Sequence, residues 1–151
     1  MAVYKIVEAG ADVLREKAKE VKEVNASILK LLDNMTDTLR DAEGLGLAAP
    51  QIGVSKRVII AEVDGQLYEL VNPVVLEKEG ESTAEEGCLS IPDMSGEVVR
   101  AEKVHVRGLN RQGEPVDIHS EGLLARVLQH EMDHLEGILF VDVAKKVYRN
   151  S

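Results

Sequence analysis

The stretch GLLARVLQHEMDHLEG, residues 122–137, decides the fold and carries two of the four histidines of the chain. His130 and His134 are four residues apart, so on a helix they lie one turn apart on the same side. Leu123 and Val127 fall on that side as well. We therefore predict a helix closed by its final glycine, with both histidines facing the apolar interior.

Two inward imidazoles one turn apart can each give a nitrogen to one metal ion at ~2.0–2.1 Å. Glu131 follows the first histidine directly, and from that position it would hold a water beside the metal instead of binding the metal. Short motifs of this kind also arise by chance. Three interpretations stay open: a metal site that breaks a bond, a metal site that only holds the fold, or a polar helix face.

A catalytic site of this type needs a third protein ligand and leaves one position open for water. The longer motif with a third histidine fails here, because Phe140 stands at that position. Asp142 is an acid downstream of the helix, but no motif supports it as a ligand. Cys88, the only cysteine, could instead supply a thiolate, a strong ligand for zinc or ferrous iron. A lone cysteine is otherwise most often a small buried apolar residue. Because the histidine pair lacks a third ligand, we favour Cys88 as a metal ligand over this alternative.

The composition indicates one globular domain without disulfides. The chain has 151 residues, and 27 acidic against 18 basic side chains give a net charge of −9. This charge argues against a nucleic-acid partner, and no apolar run reaches the ~18–20 residues of a membrane helix. A single cysteine cannot form an internal disulfide. We therefore expect one domain over residues 1–151, in a reducing cytoplasm, with no membrane partner.

Hydrophobic periodicity along the rest of the chain predicts an α+β fold with antiparallel hairpins. A second helix is predicted over residues 26–42, with Asn25 as its cap and Gly44 at its end. Asp64 and Gly65 form a hairpin-turn signal. Further strands are predicted at residues 3–7, 57–63, 67–77, 97–110, 114–120 and 138–143, a short helix at 11–21, and a loop or irregular extended chain at 81–96.

Three segments together resemble the bacterial peptide deformylases. They are GLGLAAPQ at Gly44 to Gln51, EGCLS at Glu86 to Ser90, and HEMDH at His130 to His134, in that order. The first two are far rarer by chance than the third, and the resemblance covers nearly the whole chain. It implies a single α+β domain in which antiparallel β-sheets surround a buried helix carrying the His-Glu-x-x-His motif.

The activity implied by this resemblance is removal of the formyl group from the N-terminal formyl-methionine of newly made polypeptides. A metal-bound hydroxide would attack the formyl carbon, with Glu131 as general base and then general acid. The Gln51 side-chain amide and the backbone N–H of Leu89 would stabilise the oxyanion. The implied metal is ferrous iron, with zinc, nickel or cobalt able to substitute, and the implied ligands are Cys88, His130 and His134.

The resemblance also implies a cleft for an extended peptide with an apolar slot for the methionine side chain. Glu86 would border the slot, with Arg100 neutralising it, and Arg126 would either line the rim with its stem or be solvated. The partner would be a nascent N-formylated polypeptide, met at the ribosome by a monomer. The residues expected to bind it are Gly44, Leu45, Gly46, Glu86, Gly87, Leu123 and Val127.

Two other classes of protein remain as alternatives: another metallohydrolase with this motif, such as a peptidase, and a non-catalytic metal-binding domain. Asp133, inside the motif, is either a residue that orients the ligands or a solvated acid. His105 and His119 have no partner with ligand spacing, and we expect ordinary strand residues there.

Overall fold

The computed structural model describes residues 2–150 and consists of two antiparallel sheets and three α-helices over that range. The strands are β1 (Gly46–Ala48), β2 (Val58–Val63), β3 (Gln66–Glu79), β4 (Ser82–Cys88), β5 (Ile91–Arg100), β6 (Lys103–Leu109), β7 (Pro115–Glu121) and β8 (Lys146–Arg149). The helices are α1 (Ala26–Ala42), α2 (Gly122–His134) and α3 (Phe140–Val143), with 3-10 turns at Asp12–Arg15 and Ala49–Ile52. The predicted α+β class is confirmed.

The strands divide into a five-stranded sheet of order β1-β2-β3-β6-β7 and a three-stranded sheet of order β4-β5-β8. All strand pairs within them are antiparallel. The β2–β3 hairpin turns at Asp64 and Gly65, whose φ angles of 53° and 77° suit a tight hairpin turn. This turn stands where the sequence predicts it.

Helix α1 has the bounds that its periodicity predicts. The side-chain oxygen of Asn25 accepts a hydrogen bond from the backbone N–H of Ile28 at 3.1 Å, which caps the first turn. Leu32, Met35 and Leu39 form its fully buried face. The helix ends at Glu43, whose φ of 57° is left-handed, one residue before the predicted glycine.

Helix α2 lies against the five-stranded sheet, in contact with β1, β2 and β7. Ala125 and Leu128 are fully buried in a core that includes Ile59 and Val106. His130, Glu131 and His134 are buried as well, and His130 lies against Glu86 and Phe140. Leu123 differs from the prediction, because it is 50% exposed.

Three predicted elements are wrong in type. Residues 3–7 form no strand. In this segment the backbone N–H of Val7 donates a hydrogen bond to the backbone carbonyl of Gln51. In residues 11–21 only the short turn Asp12–Arg15 is helical. The predicted strand at residues 138–143 contains helix α3, which buries Phe140, and the last strand is β8.

Residues 81–96, predicted as loop or irregular extended chain, form regular strands, namely β4 and the first half of β5. These strands pair from Ser82 opposite Arg100 to Glu86 opposite Gly96, with an irregularity before Cys88. Their exposed face is polar and acidic, so neither strand shows the apolar alternation on which a prediction from sequence depends.

The chain after α2 turns against the N-terminal segment. Gly137 has a φ of 74°, and a Cβ placed there would lie 2.6 Å from the backbone oxygen of Arg15. Only glycine fits both the angle and the space. Within residues 2–150, no helix is long and apolar enough to cross a membrane.

Candidate metal centre

Three possible metal ligands converge where β4 meets α2. Cys88 is the last residue of β4, and His130 and His134 lie one turn apart on α2. One ligand atom from each lies within 4.8 Å of the other two, and the sulfur of Cys88 is 3.4 Å from Nε2 of His134. The structure therefore brings the three predicted ligands together from two separate parts of the chain.

The donor set fits a transition metal. One thiolate and two imidazoles suit zinc or ferrous iron, and three protein ligands leave a position for water or substrate. Both histidines are buried, whereas Cys88 is partly exposed to a cleft. Nδ1 of His134 is buried with no hydrogen-bond partner among the described residues, so the polar contact of this ring is the one between its Nε2 and Cys88.

The two histidines differ in their proton affinity. Burial lowers the pKa of His134 to about 3, so this ring is the neutral imidazole that a metal requires. Burial also acts to lower the pKa of His130, but hydrogen bonds to Cys88 and Glu86 outweigh it and raise the value to about 10. A metal bound by His130 would therefore displace a proton.

Glu86 is the centre of a buried charge cluster behind the histidines. Its Oε1 accepts from Nδ1 of His130 and from Nη2 of Arg100, both at 2.9 Å. Its Oε2 accepts from Nε of Arg100 at 3.0 Å and from Nη1 of Arg126 at 2.6 Å. Burial alone would raise the pKa of Glu86, but the hydrogen bonds from His130 and Arg100 hold it well below its ordinary range.

This cluster settles the two open questions about its neighbours. Arg126 is 7% exposed, hydrogen-bonded through both terminal nitrogens, and among the residues that line the cleft, so the solvated alternative was wrong. Asp133 accepts a hydrogen bond from Nη1 of Arg100 at 2.6 Å. The acid inside the motif thus supports the arginine that holds Glu86.

Glu131 is the one acid of the motif that points at the cleft. Its carboxylate lies against Gly46, where a Cβ would come within 2.7 Å of Oε2. Burial raises the pKa of Glu131 to about 7, and its Oε1 has no hydrogen-bond partner among the described residues. A carboxylate with a pKa near neutrality can both accept and return a proton at physiological pH.

Gln51 presents a fixed donor to the same place. It lies on the 3-10 turn Ala49–Ile52, and its side-chain oxygen accepts from the backbone N–H of Ala48 at 2.9 Å. That bond directs the side-chain nitrogen toward Oγ of Ser90 at 3.1 Å and the sulfur of Cys88 at 3.6 Å. The amide is thus oriented for donation beside the metal ligands.

A cleft of about 400 Å³ opens onto these groups. Of the residues predicted to bind metal or substrate or to take part in catalysis, only His134 does not line it. The lining includes Gly44, Leu45, Gly46, Gln51, Glu86, Gly87, Cys88, Leu89, Leu123, Val127, His130 and Glu131.

Several lining residues were missed from the sequence. Pro92, Asp93, Met94 and Ser95 come from the start of β5, in the segment predicted as loop, and Asn150 comes from the end of the described chain. The acidic, glycine-containing sequence of this hairpin carries no signal that would fold it over the cleft. Leu123, expected in the interior, lies at the mouth together with Leu45, which is 47% exposed.

The two remaining histidines and Asp142 lie outside the cleft. His105 and His119 face each other across β6 and β7 with stacked rings, and neither lines the cleft. Asp142, considered as a third ligand, pairs with Arg15. Neither feature belongs to the metal centre.

Comparison with known proteins agrees with this geometry. The sequence pattern of the polypeptide deformylase family matches residues 3–150. A peptide deformylase of Desulfitobacterium hafniense is 64% identical over 149 residues, which cover 99% of each chain. The crystal structure of a peptide deformylase from Legionella pneumophila superposes with a TM-score of 0.93 at 47% identity, covering 95% of this chain and 87% of that one.

A peptide deformylase structure from Thermotoga maritima gives a TM-score of 0.93 at 38% identity, over 96% of this chain and 99% of that one. Proteins of this family are metalloenzymes that remove the N-formyl group from nascent polypeptides. The match spans both sheets and the motif helix, and it includes all three segments of the cleft. The chain belongs to the polypeptide deformylase family.

Proposed function

We propose that this chain deformylates nascent polypeptides at a metal held by Cys88, His130 and His134. The observation that carries the proposal is the convergence of these three ligand atoms within 4.8 Å of one another, beside Glu131 and Gln51. A thiol, two imidazoles, a carboxyl group and an amide, which come from separate parts of the sequence, therefore meet at one cleft. A structural metal site would need neither an open position nor an acid with a pKa near neutrality.

The resident metal in this proposal is ferrous iron, and zinc, nickel or cobalt can take its place. One thiolate and two imidazoles are acceptable to each of these ions. When bound, such an ion lowers the pKa of its water toward ~7 and so supplies a nucleophile at neutral pH.

Glu131 moves the proton. It accepts the proton of the attacking water and then delivers it to the amine that leaves the formyl carbon. Its burial and its pKa of about 7 support both steps, because neither protonation state is strongly preferred at neutral pH. Gly46 allows this carboxylate to lie against β1 at the edge of the cleft.

Gln51 and Leu89 stabilise the charge that develops on the formyl oxygen. Nε2 of Gln51 is held on the Cys88 side of the cleft by the bond that its oxygen accepts from Ala48. Leu89 follows Cys88 directly and lines the cleft, so its backbone N–H is the second donor of the proposal. Preorganised donors of this kind typically contribute ~2.7–4 kcal/mol in the transition state.

The cleft binds the first residues of the polypeptide as an extended strand. Residues 44–46 and Gly87 lie on its two sides and offer backbone for pairing. Val127, which is buried, forms the wall of the slot for the methionine side chain, and Leu123 covers its mouth. Glu86 lies behind this wall, and its charge is neutralised by arginine.

The cellular setting of the proposal is the bacterial cytoplasm, where a single-domain monomer meets nascent chains at the ribosome. The net charge of −9 supports contact with the emerging polypeptide instead of with ribosomal RNA. Sedimentation of the purified protein as one 16.5 kDa species would support the monomer, and a stable dimer would contradict it.

The test of the activity is formate release from a formyl-methionyl peptide by protein purified without oxygen, with metal content measured in the same sample. We expect one formate for each free methionyl amine, and intact internal peptide bonds. Glu131→Gln should bind the same amount of metal and lose deformylation. Cleavage of an internal bond would favour a peptidase, and no hydrolysis by iron-loaded protein would favour a non-catalytic metal domain.

A further inference from the structure

We propose that Arg126 is a positioning residue that holds the cysteine strand and the histidine helix at the spacing one metal ion requires, an inference that rests on the proposed metal centre. The ligands come from two elements, Cys88 from β4 and the histidines from α2. Arg126 lies on α2, one turn before His130, and its guanidinium reaches both strands of the cysteine hairpin.

The contacts of this guanidinium are divided between the two strands. Nη2 donates to the backbone oxygen of Ser82 at 2.8 Å and to its Oγ at 3.0 Å, at the start of β4. Nη1 donates to the backbone oxygen of Val98 on β5 at 3.0 Å and to Oε2 of Glu86 on β4 at 2.6 Å. One planar group therefore connects α2 to β4 at its first residue and again at Glu86, and to β5 through Val98.

The contact with Glu86 extends this connection to a metal ligand. The other oxygen of Glu86 accepts from Nδ1 of His130 at 2.9 Å, which leaves Nε2 of that ring for the metal. His134 has no such support, because its Nδ1 has no hydrogen-bond partner among the described residues. The orientation of His130 thus depends on a carboxylate whose second oxygen is held partly by Arg126.

Arg100, the other arginine on Glu86, cannot replace this function. It lies on β5, in the same hairpin as Glu86, and its remaining contact is with Asp133 on α2, whose side chain is 28% exposed. Arg126 makes four contacts with the hairpin, and those with Val98 and Glu86 lie in a buried site where water competes little, whereas the two with Ser82 are partly buried. We therefore infer that the strand-to-helix spacing follows Arg126 more closely than Arg100.

The experiment compares metal binding by Arg126→Met and Arg126→Lys with wild-type protein. Zn²⁺ affinity is measured by competition with a chromophoric chelator, and Co²⁺ is added separately to record the thiolate-to-cobalt absorption band. We expect Arg126→Met to weaken Zn²⁺ binding about tenfold or more, as loss of a residue supporting a metal ligand typically does. The cobalt band should weaken or shift, because the spacing between Cys88 and the histidines no longer suits a single metal ion.

Arg40→Met is the matched control, since it removes an arginine that pairs with Glu62 on the surface, away from the cleft. It should keep wild-type Zn²⁺ affinity and the wild-type cobalt band. Arg126→Lys carries the test if the methionine variant does not fold, because lysine keeps the charge but cannot contact Ser82, Val98 and Glu86 together. We expect at least about a threefold loss of affinity for it.

Wild-type Zn²⁺ affinity and an unchanged cobalt band in either folded Arg126 variant would overturn the inference. Cys88→Ser separates this failure from failure of the metal centre itself. If Cys88→Ser loses the metal while the Arg126 variants keep it, only the role of Arg126 is wrong. If Cys88→Ser also keeps wild-type affinity, the proposed ligand set is wrong.

Discussion

The side-chain nitrogen of Gln51 lies 3.6 Å from the sulfur of Cys88, and the bond from Ala48 to the side-chain oxygen prevents the amide from turning over. A 3-10 turn at the end of β1 thereby places a donor beside the last residue of β4. The donor is in position before substrate arrives, which is the condition under which a hydrogen bond lowers a barrier most effectively.

Gln51→Leu should therefore reduce kcat by about 10²–10³-fold, because an oxyanion donor is lost, with a smaller effect on KM. The measurement is steady-state formate release at matched metal content. The Leu side chain also removes the acceptor for Ala48, so thermal unfolding is recorded alongside to show that the variant is folded. A folded, metal-loaded variant with wild-type kcat would exclude Gln51 as an oxyanion donor.

Gly46→Ala should reduce kcat at least about tenfold while leaving metal content unchanged. A Cβ at this position would meet Oε2 of Glu131 and Cγ1 of Val127, both at 2.7 Å, and a displacement of this size moves a catalytic group out of reach. In a Glu131→Gln background the same substitution should add little further loss, since both changes act through one group. Independent, multiplying losses would show that Gly46 serves something other than Glu131.

The pH dependence of stability should reveal the buried carboxylate of Glu131 in metal-free protein. Its folded pKa of about 7 exceeds the ordinary value of 4.5, so the folded state binds more protons between these values. Stability is therefore lost as pH rises through this window. The Glu131→Gln variant does not show this loss. The free energy of unfolding of the variant minus that of the wild type should therefore increase by about 2 kcal/mol from pH 5 to pH 8.

Urea unfolding of both metal-free proteins across that pH range measures this advantage. Titrating groups that do not interact with Glu131 are common to the two chains and cancel in the difference. A difference that stays constant from pH 5 to pH 8 would mean that Glu131 has an ordinary pKa.

Glu86 and Arg100 should be strongly coupled in a double-mutant cycle. Both are 7% exposed, and removing one partner leaves the other as a buried charge, which typically costs about 3–5 kcal/mol. The double variant Glu86→Gln with Arg100→Met should be less destabilised than the sum of the single variants. Urea unfolding measures the coupling, and additivity within about 0.5 kcal/mol would contradict it.

The sequence predicts the part of the site that is built from periodic structure and from motifs. Helix α1, the motif helix and the β2–β3 turn follow from apolar spacing and from Asn25, Asp64 and Gly65. The approach of Cys88 to the histidines could be argued only from ligand chemistry and family resemblance. Spacing alone does not show that β4 ends beside α2.

The rest depends on tertiary contacts that leave no local pattern. The β4–β5 hairpin is polar on its exposed face; it packs against α3 and accepts hydrogen bonds from Arg126 of α2. The burial of Arg126 is explained by its contacts with Glu86, Val98 and Ser82, which come from a distant part of the chain. Phe140 begins a helix instead of a strand because Leu139 and Asp142 close a turn there.

The metal ligands are divided between the two sheets, since β4 belongs to the three-stranded sheet and α2 rests on the five-stranded one. A chain in which only one sheet has formed can present either one thiolate or two imidazoles, never all three donors. Chemical competence therefore arises with the docking of the sheets and not before. The rate at which activity returns during refolding would therefore report the rate at which the two sheets dock.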